Sequence, residues 1–307
     1  MRILAIGECM AELAPNDTPG EFRLGFAGDT FNTAWYLAQC APDISVSYLT
    51  AVGRDSISAD LTQFLRESGV NDSFVQTVPD RSIGLYLISL NNGERSFSYW
   101  RDQSAARTLA DDPVKLRDAM LENDVIYFSG ITLAILDTKP REHFFAALRE
   151  ARQLGKIVMF DPNLRPRLWP SESVMTDTIM MGANVADIAL PSFEDENSFF
   201  GDASPLETAQ RYARAGVTTT IVKNGAEPVI FLEGETSGEV NVQPVKELID
   251  STAAGDSFNA GILAGHVSGS SLPDGIAYAC RLSRQVVQQR GALVPIDFSP
   301  IAMTQRS

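Results

Sequence analysis

Apolar positions along the chain fall into two rhythms. Over the first hundred residues they come in short strand-like runs: Arg2–Gly7, Val46–Val52, Ile83–Leu90 and Arg95–Trp100. The last two flank Asn91-Asn92-Gly93. An Asn-Gly at such a bend is a hairpin signal, because a tight two-residue turn needs positive φ. From about residue 113 the rhythm changes. Short apolar runs at Val125–Ser129, Ile157–Asp161, Asp187–Leu190 and Thr219–Lys223 alternate with longer helix-like segments. Those segments are Pro113–Leu121, Pro140–Leu154, Pro205–Ala215 and Pro273–Gln289. Proline at or near a helix start suits the first turn, where its missing N–H is not needed.

Strand alternating with helix predicts an α/β fold, a mostly parallel central sheet with helices on both faces. The early hairpin does not fit that layering. It is assigned to a small β-sheet lid built from segments within roughly 8–30 and 83–102. The chain has no Pro/Ser-rich linker, low-complexity tract or internal repeat, so 1–307 is read as one domain. In open sheets of this kind, ligands sit at the carboxyl ends of the strands.

Composition narrows the function. The 307 residues carry 39 Asp and Glu against 25 Lys and Arg, a net charge of −14. That balance disfavours nucleic acid and anionic membranes as partners. No apolar run reaches the roughly 20 residues that span a bilayer. Three widely spaced cysteines, Cys9, Cys40 and Cys280, fit neither a disulfide framework nor a paired metal site, and a cytoplasmic location is expected. His143 and His266 are too far apart in sequence to suggest a metal site.

The strongest chemical signal is Asp250-Ser251-Thr252-Ala253-Ala254-Gly255-Asp256-Ser257-Phe258-Asn259-Ala260-Gly261. Small residues run up to Gly255, then an acid, then a helical apolar pattern at Phe258, Ile262, Leu263 and Val267. Unpaired N–H groups and the helix dipole make such a helix start a natural phosphate cradle. Asp256 at its mouth is placed to take a proton from an attacking hydroxyl. On its own the Ala254–Asp256 triplet reads better as a capped helix start; the full string is far more specific.

That string resembles the carboxy-terminal signature of the ribokinase-like (PfkB) carbohydrate kinases. The resemblance extends through Ala27-Gly28-Asp29-Thr30-Phe31-Asn32-Thr33-Ala34, Ala51-Val52-Gly53-Arg54-Asp55, Ser68-Gly69-Val70 and Arg290-Gly291-Ala292. Within the family, Ser98-Tyr99-Trp100-Arg101, Phe160–Pro166 and Ala189–Glu196 look most like the branch acting on 2-keto-3-deoxygluconate. The resemblance implies a ribokinase-like fold and ATP-dependent phosphorylation of that sugar acid to its 6-phosphate.

Carried over residue by residue, it makes Asp256 the base and Ala253, Ala254 and Gly255 the anion hole. Gly28, Asp29, Thr30 and Asn32 become sugar-binding; without the family they read equally as a turn and helix cap. Tyr86, Tyr99 and Arg101 become lid contacts to substrate, Arg101 through its carboxylate. Asn163 and Arg165 fall beside ATP, with Arg165 also on the substrate, while Lys223, Asn224, Gly225 and Ala226 form the nucleotide-side loop. Arg101 and Arg165 are the local cations that a carboxylate entering so acidic a protein needs.

The family's Asn-x-x-Glu element, which orders magnesium-bound water, is here Ser192-Phe193-Glu194-Asp195 with Glu196 next. Either Asp195 or Glu196 can supply the acid. ATP with Mg2+ is expected, and a monovalent cation such as K+ near Asp250, Thr252 and Gly291. A homodimer through the lid is also implied. Two other readings stay open: a kinase of the same family acting on fructose, ribose or a nucleoside, and a non-catalytic sugar sensor on the same scaffold. An intact Gly255 and Asp256 argue against the second.

Overall fold

The computed structural model describes residues 1–16, 18, 20–91 and 94–299. The Asn92-Gly93 turn expected from sequence lies outside these residues. Thirteen strands are described, and nine form one sheet. Its parallel strands are β1 (Arg2–Ile6), β4 (Ser45–Val52), β5 (Val75–Thr77), β8 (Val125–Ser129), β9 (Ile157–Asp161), β10 (Ile188–Ala189) and β11 (Thr219–Val222). The antiparallel β12 (Val229–Glu233) and β13 (Thr236–Val240) complete one edge, in the order β13-β12-β11-β10-β9-β8-β1-β4-β5. The second sheet is β2 (Met10–Pro15), β3 (Phe22–Ala27), β6 (Leu85–Asn91) and β7 (Glu94–Trp100), in the order β3-β2-β6-β7.

Strand alternation divides the core between the two faces of the large sheet. Ile3, Ala5, Val46, Tyr48 and Tyr127 point one way, into a layer with α1 (Asp29–Cys40), α2 (Ser56–Glu67), α9 (Ala254–Ser268) and α10 (Leu272–Val286). Leu4, Ile6, Leu49, Phe128 and Phe160 point the other way. They meet α3 (Pro113–Leu121), α4 (Gly130–Ile135), α5 (Thr138–Gln153) and α6 (Glu172–Asn184). Both faces being covered explains why the central strands are apolar throughout rather than alternating.

Local chemistry sets the element ends. Asp112 accepts from the N–H groups of Val114 and Lys115 ahead of Pro113, a cap of about 1 kcal/mol. Ser204 and Ser271 cap α8 (Pro205–Arg214) and α10 in the same way. The α7 helix (Phe193–Phe200) ends at Gly201, whose φ of 73° a side-chain-bearing residue adopts only with strain.

The strands expected after residue 113 form at or within two residues of their expected bounds. The β2 and β3 strands join the expected hairpin to complete the small sheet. On its inner face Met10, Ala27, Tyr86 and Ile88 are buried against Ala292, with Ala253 and Leu293 packed alongside. The small sheet therefore rests on the segment after α10, and on Ala253 at the start of α9. The parallel strands all present their carboxyl ends to that side, where residues 7–8, 129, 161–163, 192 and 223 emerge.

Candidate active site

The α9 helix begins with two irregularities. Ala253, its N-cap, is left-handed (φ 59°, ψ 14°). Ala254 N–H turns back onto the Ser251 carbonyl at 3.2 Å. Asp250 pins this turn: its carboxylate accepts from Thr252 N–H (3.1 Å), Thr252 Oγ1 (2.7 Å) and Gly291 N–H (2.8 Å). Gly255 and Asp256 follow in the first helical turn, where N–H groups have no intrahelical acceptor. Of the segment Ala253–Gly255 read as an anion hole, Gly255 N–H lies in this open turn. The Ala254 donor is engaged, and Asp256 N–H joins the set.

Asn163 (φ 37°) and Ala253 are the two non-glycine residues with positive φ among those described. Such conformations cost about 1–3 kcal/mol each and cluster where function requires them. Both lie at this end of the sheet. Asp161-Pro162 sends the chain out of β9, and Asn163 then donates to Asp29 Oδ2 at 2.8 Å. That bond ties the β9 loop to the start of α1, whose φ of 178° at Gly28 is ordinary extended backbone. Gly28 is needed for space instead. A Cβ there would lie 2.1 Å from the Glu8 carbonyl oxygen.

Asp256 sits where these elements converge. Asn32 Nδ2 donates to its Oδ2 at 2.8 Å, and Thr33 Oγ1 donates to its carbonyl at 3.2 Å. Its carboxyl is pushed up to about 8, chiefly by burial and then by the nearby Asp29; Asp161 adds to the rise, while Asn32 and Lys223 oppose it. Asp29 is raised as well, first by burial. Lys223, at the end of β11, contacts Asp161 at 3.2 Å and Asn259 at 3.3 Å. Sequence reasoning assigned no role to Asp161, Asn259 or Tyr127. Asp161 stands in the Phe160–Pro166 segment and Asn259 in the α9 string, each far in sequence from the partners it meets.

Tyr86 and Tyr99 lie on the paired strands β6 and β7, and Arg101 follows β7 directly. Tyr86 and Tyr99 are cross-strand neighbours with ring centroids 5.8 Å apart, and the Arg101 guanidinium lies 5.9 Å from the Tyr99 ring. Tyr99 is half exposed. Tyr86 is buried and donates its hydroxyl to Glu12, so its phenol already has an acceptor. Arg101 is ion-paired with the buried Glu8, just beyond β1. Among the described residues its Nε and Glu8 Oε1 have no hydrogen-bond partner. Thr30 is fully buried, its hydroxyl bonded to that of Tyr48 at 2.9 Å, which makes it part of the floor beneath the cleft.

Arg165 is exposed. Its nearest carboxylate is Asp195, 3.7 Å away. This separates the two acids of the Ser192–Glu196 segment. Glu196 is fully buried, bonded to Arg211 (2.6 Å) and Tyr212 (3.0 Å), and belongs to the packing of α7 on α8. Asp195 faces the cleft. Asn224 is half-buried, and Gly225 and Ala226 are exposed in the turn between β11 and β12, with Gly225 at φ 61°.

Among the described residues no three His, Cys, Asp or Glu side chains gather to hold a metal, and no helix is long and apolar enough to cross a membrane.

The pfkB family of carbohydrate kinases matches this chain over residues 1–298. A 2-dehydro-3-deoxygluconokinase of Escherichia coli is 37% identical over 309 residues, covering 97% of this chain and 99% of that protein. One from Dickeya dadantii is 36% identical, covering 97% and 98%. Among solved structures, a PfkB protein of a Polaromonas species superposes with a TM-score of 0.83 at 27% identity, over 93% of this chain and 95% of that one. The 2-dehydro-3-deoxygluconokinase of Thermotoga maritima gives 0.85 at 20% identity, over 97% and 96%, which speaks to the fold.

Proposed function

This chain belongs to the pfkB family of carbohydrate kinases, and we propose that it transfers the γ-phosphoryl group of ATP to 2-keto-3-deoxygluconate, the sugar acid also called 2-dehydro-3-deoxygluconate. The names of its relatives at 36–37% identity support the substrate. The observation that carries the chemistry is the carboxylate of Asp256, held by Asn32 in the first turn of α9 beside its open amides; burial pushes that carboxyl up to about 8. A base with a pKa near working pH takes a proton efficiently and returns it easily.

In this reading the sugar lies between the lid and the start of α1, against Gly28, Asp29 and Asn32. Its primary hydroxyl faces Asp256. The hydroxyl oxygen attacks phosphorus, the proton passes to Asp256 Oδ1, and the bond to the ADP oxygen breaks. Oδ2 stays with Asn32, which fixes the direction of Oδ1. Gly255 and Asp256 N–H groups take the developing charge on the phosphoryl oxygens. Arg101 and Arg165 receive the substrate carboxylate, and Tyr99 covers the ring. Asn163, Asn224, Gly225 and Ala226 line the nucleotide side. One kinase domain with the small sheet as its lid accounts for the whole arrangement, since closure keeps water from competing as acceptor.

Kinases of this class take ATP with Mg2+, which neutralises charge across the phosphates. The donor set suits a hydrated Mg2+ that arrives on the nucleotide. Asp195, partly exposed at the cleft, would hold its water. A monovalent cation such as K+ would lie by the turn that Asp250, Thr252 and Gly291 tie together. The outer lid face, where Phe22, Leu24 and Trp100 are exposed, would pair with a second copy in a cytoplasmic homodimer.

The test is a coupled ADP-release assay over a panel of sugars and sugar acids with MgATP. The reading expects 2-keto-3-deoxygluconate to give the highest kcat/KM. Fructose or ribose outperforming it would overturn the substrate assignment, and no turnover with any acceptor would favour a sensor.

A further inference from the structure

Lys223 is held more closely than a nucleotide-side loop requires. Its Nζ bonds to Asp161 Oδ1 (3.2 Å) and Asn259 Oδ1 (3.3 Å). Asn259 in turn donates to Asp161 Oδ2 (2.7 Å) and to the Tyr127 hydroxyl (3.0 Å). Asp161, Asn259 and Tyr127 are all buried. The ammonium is therefore fixed by side chains that are themselves fixed. An ammonium has three donors, and among the described residues the third has no acceptor.

Gly255 shows where that third donor is free to go. Its φ is not positive and it lies within a helix, so backbone conformation does not demand glycine. A Cβ at this position would stand 3.6 Å from Lys223 Nζ, an ordinary contact that the fold would accept. Such a side chain would stand against the ammonium at the start of α9. Glycine leaves it uncovered. A lysine present only to neutralise Asp161 would not need that opening.

We propose that Lys223 is a catalytic residue whose third N–H reaches past Gly255 to the non-bridging oxygens of the phosphoryl group in flight, and that Asp161 and Asn259 are its positioning residues. The inference rests on the kinase reading and deepens it. Lys223 keeps its proton throughout. The sugar oxygen gains the bond to phosphorus, the ADP oxygen loses it, and Asp256 takes the hydroxyl proton. In a loose phosphoryl transition state charge is spread over the equatorial oxygens. A fixed ammonium in a water-poor cleft meets that charge without reorganising.

The charged groups facing Asp256 are Asp29 from α1, Asp161 from β9 and Lys223 after β11, with Asn32 as its neutral donor. This gives a readout that a structural role would not move. Lys223→Met should lower kcat by about 10²-fold or more, with KM for MgATP and for the sugar acid changed less than about threefold. The acid limb of kcat against pH should shift upward, because a cation beside Asp256 is lost. Asp161→Asn should shift that limb downward, because an anion is lost, and should lower kcat by misplacing Lys223. The double variant Lys223→Met/Asp161→Asn removes both charges of the ion pair, so neither partner is left alone. It should fold and be no slower than Lys223→Met alone, because a positioning residue has nothing left to position. Lys223→Met keeping kcat within about threefold, or raising only the KM for MgATP, would overturn the inference while leaving the kinase reading intact. Absence of turnover in the unmutated protein with every acceptor would overturn both.

Discussion

Asn32 and Asp256 are 224 positions apart in sequence, and the Asn32 amide donates to Asp256 Oδ2 at 2.8 Å. The bond joins the first turn of α1 to the first turn of α9. It leaves Oδ1 of Asp256 to face the cleft and favours the charged form of the carboxyl, which burial and Asp29 disfavour.

A base that must be ionised to act sets the pH profile. With Asp256 near 8, kcat/KM for the sugar acid should rise with pH and level off above about 8. Asn32→Ala removes a group that lowers this pKa, so the rising limb should move to higher pH. Steady-state rates across a pH series in a constant-ionic-strength buffer check both.

The same carboxyl should weaken the fold at neutral pH. An unfolded aspartate titrates near 3.9. Between about pH 4 and pH 8 the folded chain retains a proton that the unfolded chain releases, so stability from this group falls as pH rises through that window. Asp256→Asn should therefore melt higher than the unmutated protein at about pH 8, and the difference should vanish near pH 4. Calorimetric melts at the two pH values measure it.

Arg101 has two partners in prospect, Glu8 in the protein and a carboxylate on the substrate. Arg101→Ala should raise KM for the sugar acid roughly 10–100-fold, the worth of a charged hydrogen bond. It should also destabilise the fold by about 3–5 kcal/mol, because Glu8 is left buried without its counter-charge. Adding Glu8→Gln should restore much of the stability and none of the KM. Chemical denaturation alongside kinetics separates the two effects.

The exposed apolar face of the lid should bury itself against a second copy. Light scattering on the unmutated protein should give a dimer mass. Leu24→Glu, on the half-exposed outer face of β3, should give a monomer.

Much of this arrangement was legible in the sequence. The βα alternation after residue 113 fixed the parallel sheet, because strands covered on both faces must be apolar throughout. The Ala253–Asp256 string located the helix start, because small residues before an acid have a local meaning. What was not legible was pairing at long range. Nothing in Phe160–Pro166 says that Asp161 will meet Lys223 and Asn259, or that Glu8 will meet Arg101. That Glu196 goes into the packing rests on Arg211, which lies on another helix. The hydroxyl of Tyr86, expected to meet the substrate, is held by Glu12 from the parallel neighbour β2. Nor does the small-residue string show that the left-handed Ala253 turns the Ala254 amide back onto the Ser251 carbonyl.

The most direct test compares phosphoryl transfer and binding in one variant, Asp256→Asn. Transfer of labelled phosphate from ATP to 2-keto-3-deoxygluconate should fall by roughly 10²–10⁴-fold, while calorimetric binding of the sugar acid stays within a few-fold of the unmutated protein. Transfer at an undiminished rate would contradict the assignment of this carboxylate as the base.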